Sequence, residues 1–73
     1  MNKYIINSLE DLAKTLKTRR HELKITQKSL GAFCNLSHNG ISRIELAQSD
    51  VQLSTILKMS KILGFKMILE MEE

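Results

Sequence analysis

Residues 26–44 read TQKSLGAFCNLSHNGISRI, and this stretch constrains the reading of the rest of the chain. Its apolar residues stand at Leu30, Cys34, Leu36, Ile41 and Ile44. Leu30 and Cys34 are spaced i, i+4, and Ile41 and Ile44 are spaced i, i+3, so each pair lies on one face of a helix. Leu36 falls between the pairs, in a turn. Thr26 and Ser37 each stand where a side-chain oxygen can cap the first amides of a helix. Asn35 comes where the first helix must end, and Asn tolerates the left-handed conformation that a tight turn needs. Gly31 sits inside the first helix, where glycine costs about 1 kcal/mol relative to Ala. That is explicable if another helix crosses close to it. The stretch therefore reads as two short helices, about 27–34 and 38–46, joined by a tight turn.

The small residue in the first helix, Asn at the turn and the fixed apolar positions are the pattern of a helix-turn-helix. The run TQKSL…LS…ISRIE resembles the Xre/Cro-like family of phage and bacterial repressors, over roughly residues 8–64. A helix-turn-helix presents its second helix to the major groove of double-stranded DNA. The resemblance then implies that Ser37, His38 and Asn39 reach base edges, with Ser42 and Arg43 one turn later on the same side. Asn pairs in bidentate fashion with adenine and Arg with guanine; Arg43 would serve either bases or phosphate. In the family, the first residue of the helix before the turn contacts phosphate. That position is Gln27, with a backbone N–H at a helix start, and Lys28 lies beside it. An Arg in the family's first helix is often paired with a Glu at the end of the third, and Arg20 and Glu45 match those positions. Many members carry Asn-Gly after that Glu, where this chain has Leu46-Ala47. The following loop holds Asp50 and no Lys or Arg, so few ionic phosphate contacts are expected, beyond backbone amides near Gln48 and Ser49. Gly40 either lets the backbone approach the groove or is a tolerated flaw.

At 73 residues the chain makes one domain with a modest core, for which self-association is a natural source of added stability. The first 66 residues hold all eleven basic side chains and five of the eight acidic ones. That excess weakly favours a polyanionic partner. The lone Cys34 excludes an internal disulfide and, at an apolar helix position, reads as a buried thiol. No leader-like segment and no apolar run of membrane-spanning length is present, which makes the cytoplasm the expected compartment. Nothing favours an enzyme: Ser37 and His38 are adjacent on one helix, and Cys34 with His38 is too few ligands for a metal. Neither metal nor cofactor is expected.

Outside the central stretch, Lys3–Ile6 is β-prone and reads as a strand or an ordered arm. Ser8 caps a first helix of about 9–23, marked by Leu9, Leu12, Ala13, Leu16, Arg20 and Leu23 at helical spacing. Leu53, Ile56, Leu57, Ile62 and Leu63 mark a fourth helix, with Gly64 as its C-terminal cap. After Gly64 the period changes to two, with Phe65, Met67, Leu69 and Met71 on one face. The expected fold is all-α: a single domain over 1–73, with a four-helix core at 8–64 and a short C-terminal β-strand at 65–71. One strand cannot satisfy its own backbone; its partner is either the Lys3–Ile6 stretch, the same strand of a second subunit, or both. Size and this strand-like ending make the chain similar to HipB-type antitoxins, small DNA-binding proteins encoded beside HipA-type kinase toxins. That resemblance implies a homodimer built through Phe65, Met67, Leu69 and Met71, binding to a pseudo-palindromic operator with half-sites roughly 34 Å apart, repression of its own operon, and capture of a HipA-like toxin. A free-standing phage or plasmid repressor and a protein-interaction module without DNA binding are the competing expectations.

Overall fold

The computed structural model describes residues 2–73. Four helices follow one another: α1 (Leu9–Glu22), α2 (Gln27–Cys34), α3 (His38–Glu45) and α4 (Leu53–Leu63). Three of them begin on the capping residues expected of them. Ser8 Oγ accepts from the Asp11 amide, Thr26 Oγ1 from Ser29 and Ser37 Oγ from Gly40, each at 3.0 Å. Each cap satisfies one amide that the helix itself cannot. Asp11 returns a bond to the Asn7 amide at 3.0 Å, one residue before the cap. α4 starts at Gln52 without a side-chain cap.

A residue in left-handed conformation closes each helix, at the cap for α2 and α4 and one residue beyond it for α1 and α3: Lys24 (φ 58°), Asn35 (φ 58°), Ala47 (φ 56°) and Gly64 (φ 70°). The reversal lets amides beyond the helix fold back onto its last carbonyls. Ile25 N–H reaches Arg20 O at 3.1 Å, Leu36 N–H reaches Gly31 O at 2.8 Å, Gln48 N–H reaches Arg43 O at 2.9 Å and Phe65 N–H reaches Ser60 O at 3.1 Å. Only the last helix uses glycine. At Ala47 the Cβ opposes this conformation by about 1–2 kcal/mol. Ala47→Gly removes that penalty and adds unfolded-chain entropy of about 0.4–1 kcal/mol in opposition. The variant is expected to be more stable by roughly 0.5–1 kcal/mol, raising Tm by roughly 2–8 °C in a thermal melt followed by circular dichroism.

The core gathers one stripe from each helix: Leu16 from α1, Leu30 and Cys34 from α2, Ile41 and Ile44 from α3, and Ile56, Met59 and Leu63 from α4. α2 packs against both α3 and α4, and α1 packs against α3. Met59, which the spacing of leucines and isoleucines leaves unmarked, is fully buried. Leu53 and Leu57, which mark α4 in the sequence, face outward. Arg19 ties the first helix to the last: its Nε donates to Leu63 O at 2.7 Å, satisfying a carbonyl that the end of α4 leaves open. Burial pushes the Cys34 thiol up from its ordinary range, against the weaker opposing charge of Lys58, so the buried cysteine is a poor nucleophile.

Two expectations are corrected here. No strand is formed among the described residues: neither Lys3–Ile6 nor 65–71 has a ladder partner. The physical reason is the one that makes a lone strand untenable, since extended backbone becomes a strand only against a second one. Nor do the four apolar residues of the tail behave alike. Phe65 packs on the core of its own chain, whereas Met67, Leu69 and Met71 are 52%, 82% and 75% exposed. Ile68, which alternates with them, is exposed as well.

Candidate nucleic-acid interface

Gly31 lets α2 and the turn before α3 pack closely. A Cβ at this position would stand 2.5 Å from Leu36 O, 3.3 Å from Ser37 O and 3.4 Å from Ile41 Cγ1. The element crowding Gly31 is therefore chiefly the turn itself, with α3 behind it, rather than a separate crossing helix. The absence of a side chain lets the turn carbonyls lie against α2. Ile41, Ile44 and Glu45 then form the buried face of α3.

Helical geometry puts Asn39, Ser42 and Arg43 on the opposite face. Asn39 and Arg43 are exposed and Ser42 is half-buried, and none of the three has a side-chain hydrogen bond to another described residue. Ser37 is exposed, but its hydroxyl is occupied as the cap of α3. Gly40 lies on the other flank. A Cβ there would meet Ser37 Oγ at 3.4 Å and Leu36 Cβ at 3.6 Å, ordinary contacts within the protein. The fold therefore makes no steric demand for glycine at this position, and a side chain there would point toward Leu36 rather than outward.

At the start of α2, Thr26 Oγ1 takes only the Ser29 amide. The amides of Gln27 and Lys28 are left turned out of the helix end, and the Lys28 side chain is exposed beside them. The expected contribution of the Gln48 amide does not survive, because that N–H is committed to Arg43 O.

Beneath this surface lies a polar cluster. Arg20 Nε donates to Glu45 Oε2 at 2.6 Å and its Nη2 donates to Glu45 Oε1 at 2.9 Å, the paired geometry that suits a guanidinium to a carboxylate. Arg20 Nη1 donates to Ile25 O at 2.8 Å, and Arg20 and Glu45 are both buried. Burial alone would raise the Glu45 carboxyl. The hydrogen bonds from Arg20 and Gln27, with the charges of Arg20 and Lys17, outweigh it and hold the group below the ordinary carboxylate range. Gln27 joins the cluster through its side chain: its Nε2 donates to Glu45 Oε1 at 3.0 Å, and its Oε1 lies 2.8 Å from His38 Nε2. The sequence pairs Arg20 with Glu45 by family pattern, but it carries no signal for the extension through Gln27 to His38. That link depends on side-chain reach between two helix starts.

The helix-turn-helix family model matches residues 16–68, well over half of the chain. The chain belongs to the helix-turn-helix family. A curated relative from Haemophilus influenzae, named as an uncharacterized HTH-type transcriptional regulator, is 42% identical over 53 residues, which is 73% of this chain and 54% of the relative. This helix-turn-helix chain thus matches only about half of that relative's length. The resemblance to Xre/Cro-like helix-turn-helix proteins stands on these matches; neither of them reaches the HipB type. Among the described residues, no helix of this helix-turn-helix protein is long and apolar enough to cross a membrane.

Proposed function

We propose that the chain is a sequence-specific DNA-binding transcriptional repressor. The reading is carried by the outer face of α3, where Asn39 and Arg43 are exposed with their polar ends uncommitted. The start of α2, with the outward amides of Gln27 and Lys28, is tied to the start of α3 by the contact between Gln27 and His38. His38 and Ser42 extend the base-reading strip, and Ser37 holds its start by capping it. The relative's name as an HTH-type transcriptional regulator supports the same reading. Phosphate contacts are few, so the slope of log affinity against log salt is moderate, roughly −0.9 for each phosphate neutralised.

The protein acts as a homodimer on a pseudo-palindromic operator. Met67, Leu69 and Met71 supply the apolar face between subunits, with Phe65 anchoring the base of each tail on its own core. Extended tails become strands when they pair. The finer assignment is a cytoplasmic antitoxin of the HipB type, repressing its own operon and binding a HipA-like kinase toxin. A free-standing repressor shares every feature except the toxin.

The test is fluorescence anisotropy on the DNA upstream of the chain's own gene against scrambled DNA, at two salt concentrations. The wild type is expected to prefer the native site at both. Asn39→Ala with Arg43→Ala should lose at least 30-fold in affinity, from about 1–3 kcal/mol per bidentate contact, and remain dimeric by light scattering. Deleting residues 67–73 should leave a folded monomer whose affinity falls because the two half-sites are no longer bound together. Unchanged affinity in the double variant would remove α3 from the interface.

A further inference from the structure

The cluster beneath α3 constrains more than position. Its hydrogen bonds have a compulsory direction, set from the buried end. An ionised carboxylate only accepts, and Glu45 already receives two N–H groups from Arg20. The end of the Gln27 amide that faces Glu45 at 3.0 Å must therefore be its NH2. The other end, the carbonyl oxygen, then faces His38 Nε2 at 2.8 Å. A carbonyl also only accepts, so the His38 Nε2 must carry the hydrogen. A neutral imidazole has one N–H, which leaves Nδ1 as a bare lone pair. Nδ1 has no partner among the described residues, and His38 is exposed at the first position of α3.

We infer that Gln27 is a positioning residue that fixes His38 as a hydrogen-bond acceptor, so that His38 selects a base presenting an amino group in the major groove. Adenine offers N6–H2 and cytosine N4–H2; guanine O6 and thymine O4 offer only acceptors at that edge. The inference rests on the DNA-binding reading above. It adds the sign of one contact, which His by itself leaves open because its two tautomers present opposite faces.

The second histidine supplies an internal reference. Arg20 Nη2 lies 3.3 Å from His21 Nε2. A guanidinium only donates, so His21 must leave Nε2 bare and carry its hydrogen on Nδ1. The same arginine thus sets opposite tautomers in the two rings, directly in one and through Glu45 and Gln27 in the other.

The first experiment is a long-range 15N–1H correlation spectrum of the imidazoles in the DNA-free protein at about pH 8, above ordinary imidazole titration. His38 is expected wholly in the Nε2–H form and His21 in the Nδ1–H form. In Gln27→Ala, whose folding is checked by thermal melt, an Nδ1–H fraction should appear at His38 and not at His21. The second experiment finds the operator base pair at which the wild type and His38→Ala differ, then replaces its bases by analogues lacking one group: purine for adenine or pyrimidin-2-one for cytosine removes the amino group, and a 7-deazapurine removes the N7 acceptor. Removing the amino group at that base pair should cost the wild type at least 5-fold in affinity and His38→Ala nothing, whereas removing N7 should leave both unchanged. A His38 Nδ1–H form in the wild type, or a loss of affinity on removing N7 with none on removing the amino group at that base pair, would overturn the inference while leaving DNA binding intact. Absence of any sequence-specific binding would overturn the DNA-binding reading and the base selection together, whatever the tautomer spectra show.

Discussion

Glu45→Ala is expected to leave the chain largely unfolded at 37 °C. The substitution strips the buried Arg20 guanidinium of both carboxylate bonds and Gln27 of its acceptor. Removing one partner of a buried ion pair costs about 3–5 kcal/mol, because the other charge stays desolvated and unpaired. A domain of this length has a total stability of about 4–11 kcal/mol at typical per-residue values, so the loss is comparable with the whole. Urea denaturation followed by circular dichroism measures it directly. Arg20→Met with Glu45→Leu should be less damaging than either single replacement, since apolar groups of similar size leave no orphaned charge. A double variant as unstable as Glu45→Ala would show that the pair contributes packing that no apolar substitute provides. The same carboxylate gives stability a pH dependence of known sign. Its folded-state pKa is held below the ordinary value. The stabilisation is therefore fully present above the unfolded carboxyl's pKa, about 4.3, and is lost as pH falls through the lower, folded value. Glu45→Gln should lack this part of the acid sensitivity.

Gly31→Ala is the second large effect, and it comes from one methyl group. In most exposed helix positions this exchange would stabilise by about 1 kcal/mol. Here the added carbon would stand 2.5 Å from the Leu36 carbonyl oxygen, and that oxygen belongs to backbone that cannot rotate away. The turn must move outward, taking Ser37 and the start of α3 with it. The sign is reversed, to a loss of about 3 kcal/mol, at the upper end of what overpacking typically costs. Chemical denaturation reads the stability, and the displacement of α3 should also weaken DNA binding in whatever fraction remains folded. A variant as stable as the wild type would mean that the turn is softer than its contacts imply.

Where the helices begin was legible because caps are local. Ser8, Thr26 and Ser37 compete for amides only three residues away, and the information sits in adjacent letters. Two of the helix ends were legible for the same reason, since Asn35 and Gly64 are residue types that accept the left-handed region. Lys24 and Ala47 take that conformation without advertising it, because there the closing hydrogen bonds outweigh an unfavourable side chain. Contacts across the fold were harder to see. The Arg20–Glu45 pair could be reached through resemblance, but nothing in the sequence links Arg19 to the end of α4, or Gln27 to His38. The tail went astray for a different reason. Alternation after Gly64 correctly signals extended backbone, yet a strand is a property of two segments, and the sequence of one chain does not say where the second lies. Phe65 carries the right pattern for an intermolecular face and instead packs against the core cluster of its own chain.

α2 and α3 are eight residues each, well short of the length at which an isolated helix persists in water. Neither holds its shape without Gly31's close turn, the Arg20–Glu45 pair and the α4 stripe behind it. The surface that meets a partner therefore has no independent lifetime. It exists for as long as the whole domain stays closed and vanishes with each global opening, so exchange of the hydrogen-bonded amides in the two helices follows the equilibrium of complete unfolding, and a protease that cuts there samples only the unfolded chain. Recognition and survival of the protein are then governed by one equilibrium: whatever shifts that equilibrium, including occupancy of the surface itself, alters both together.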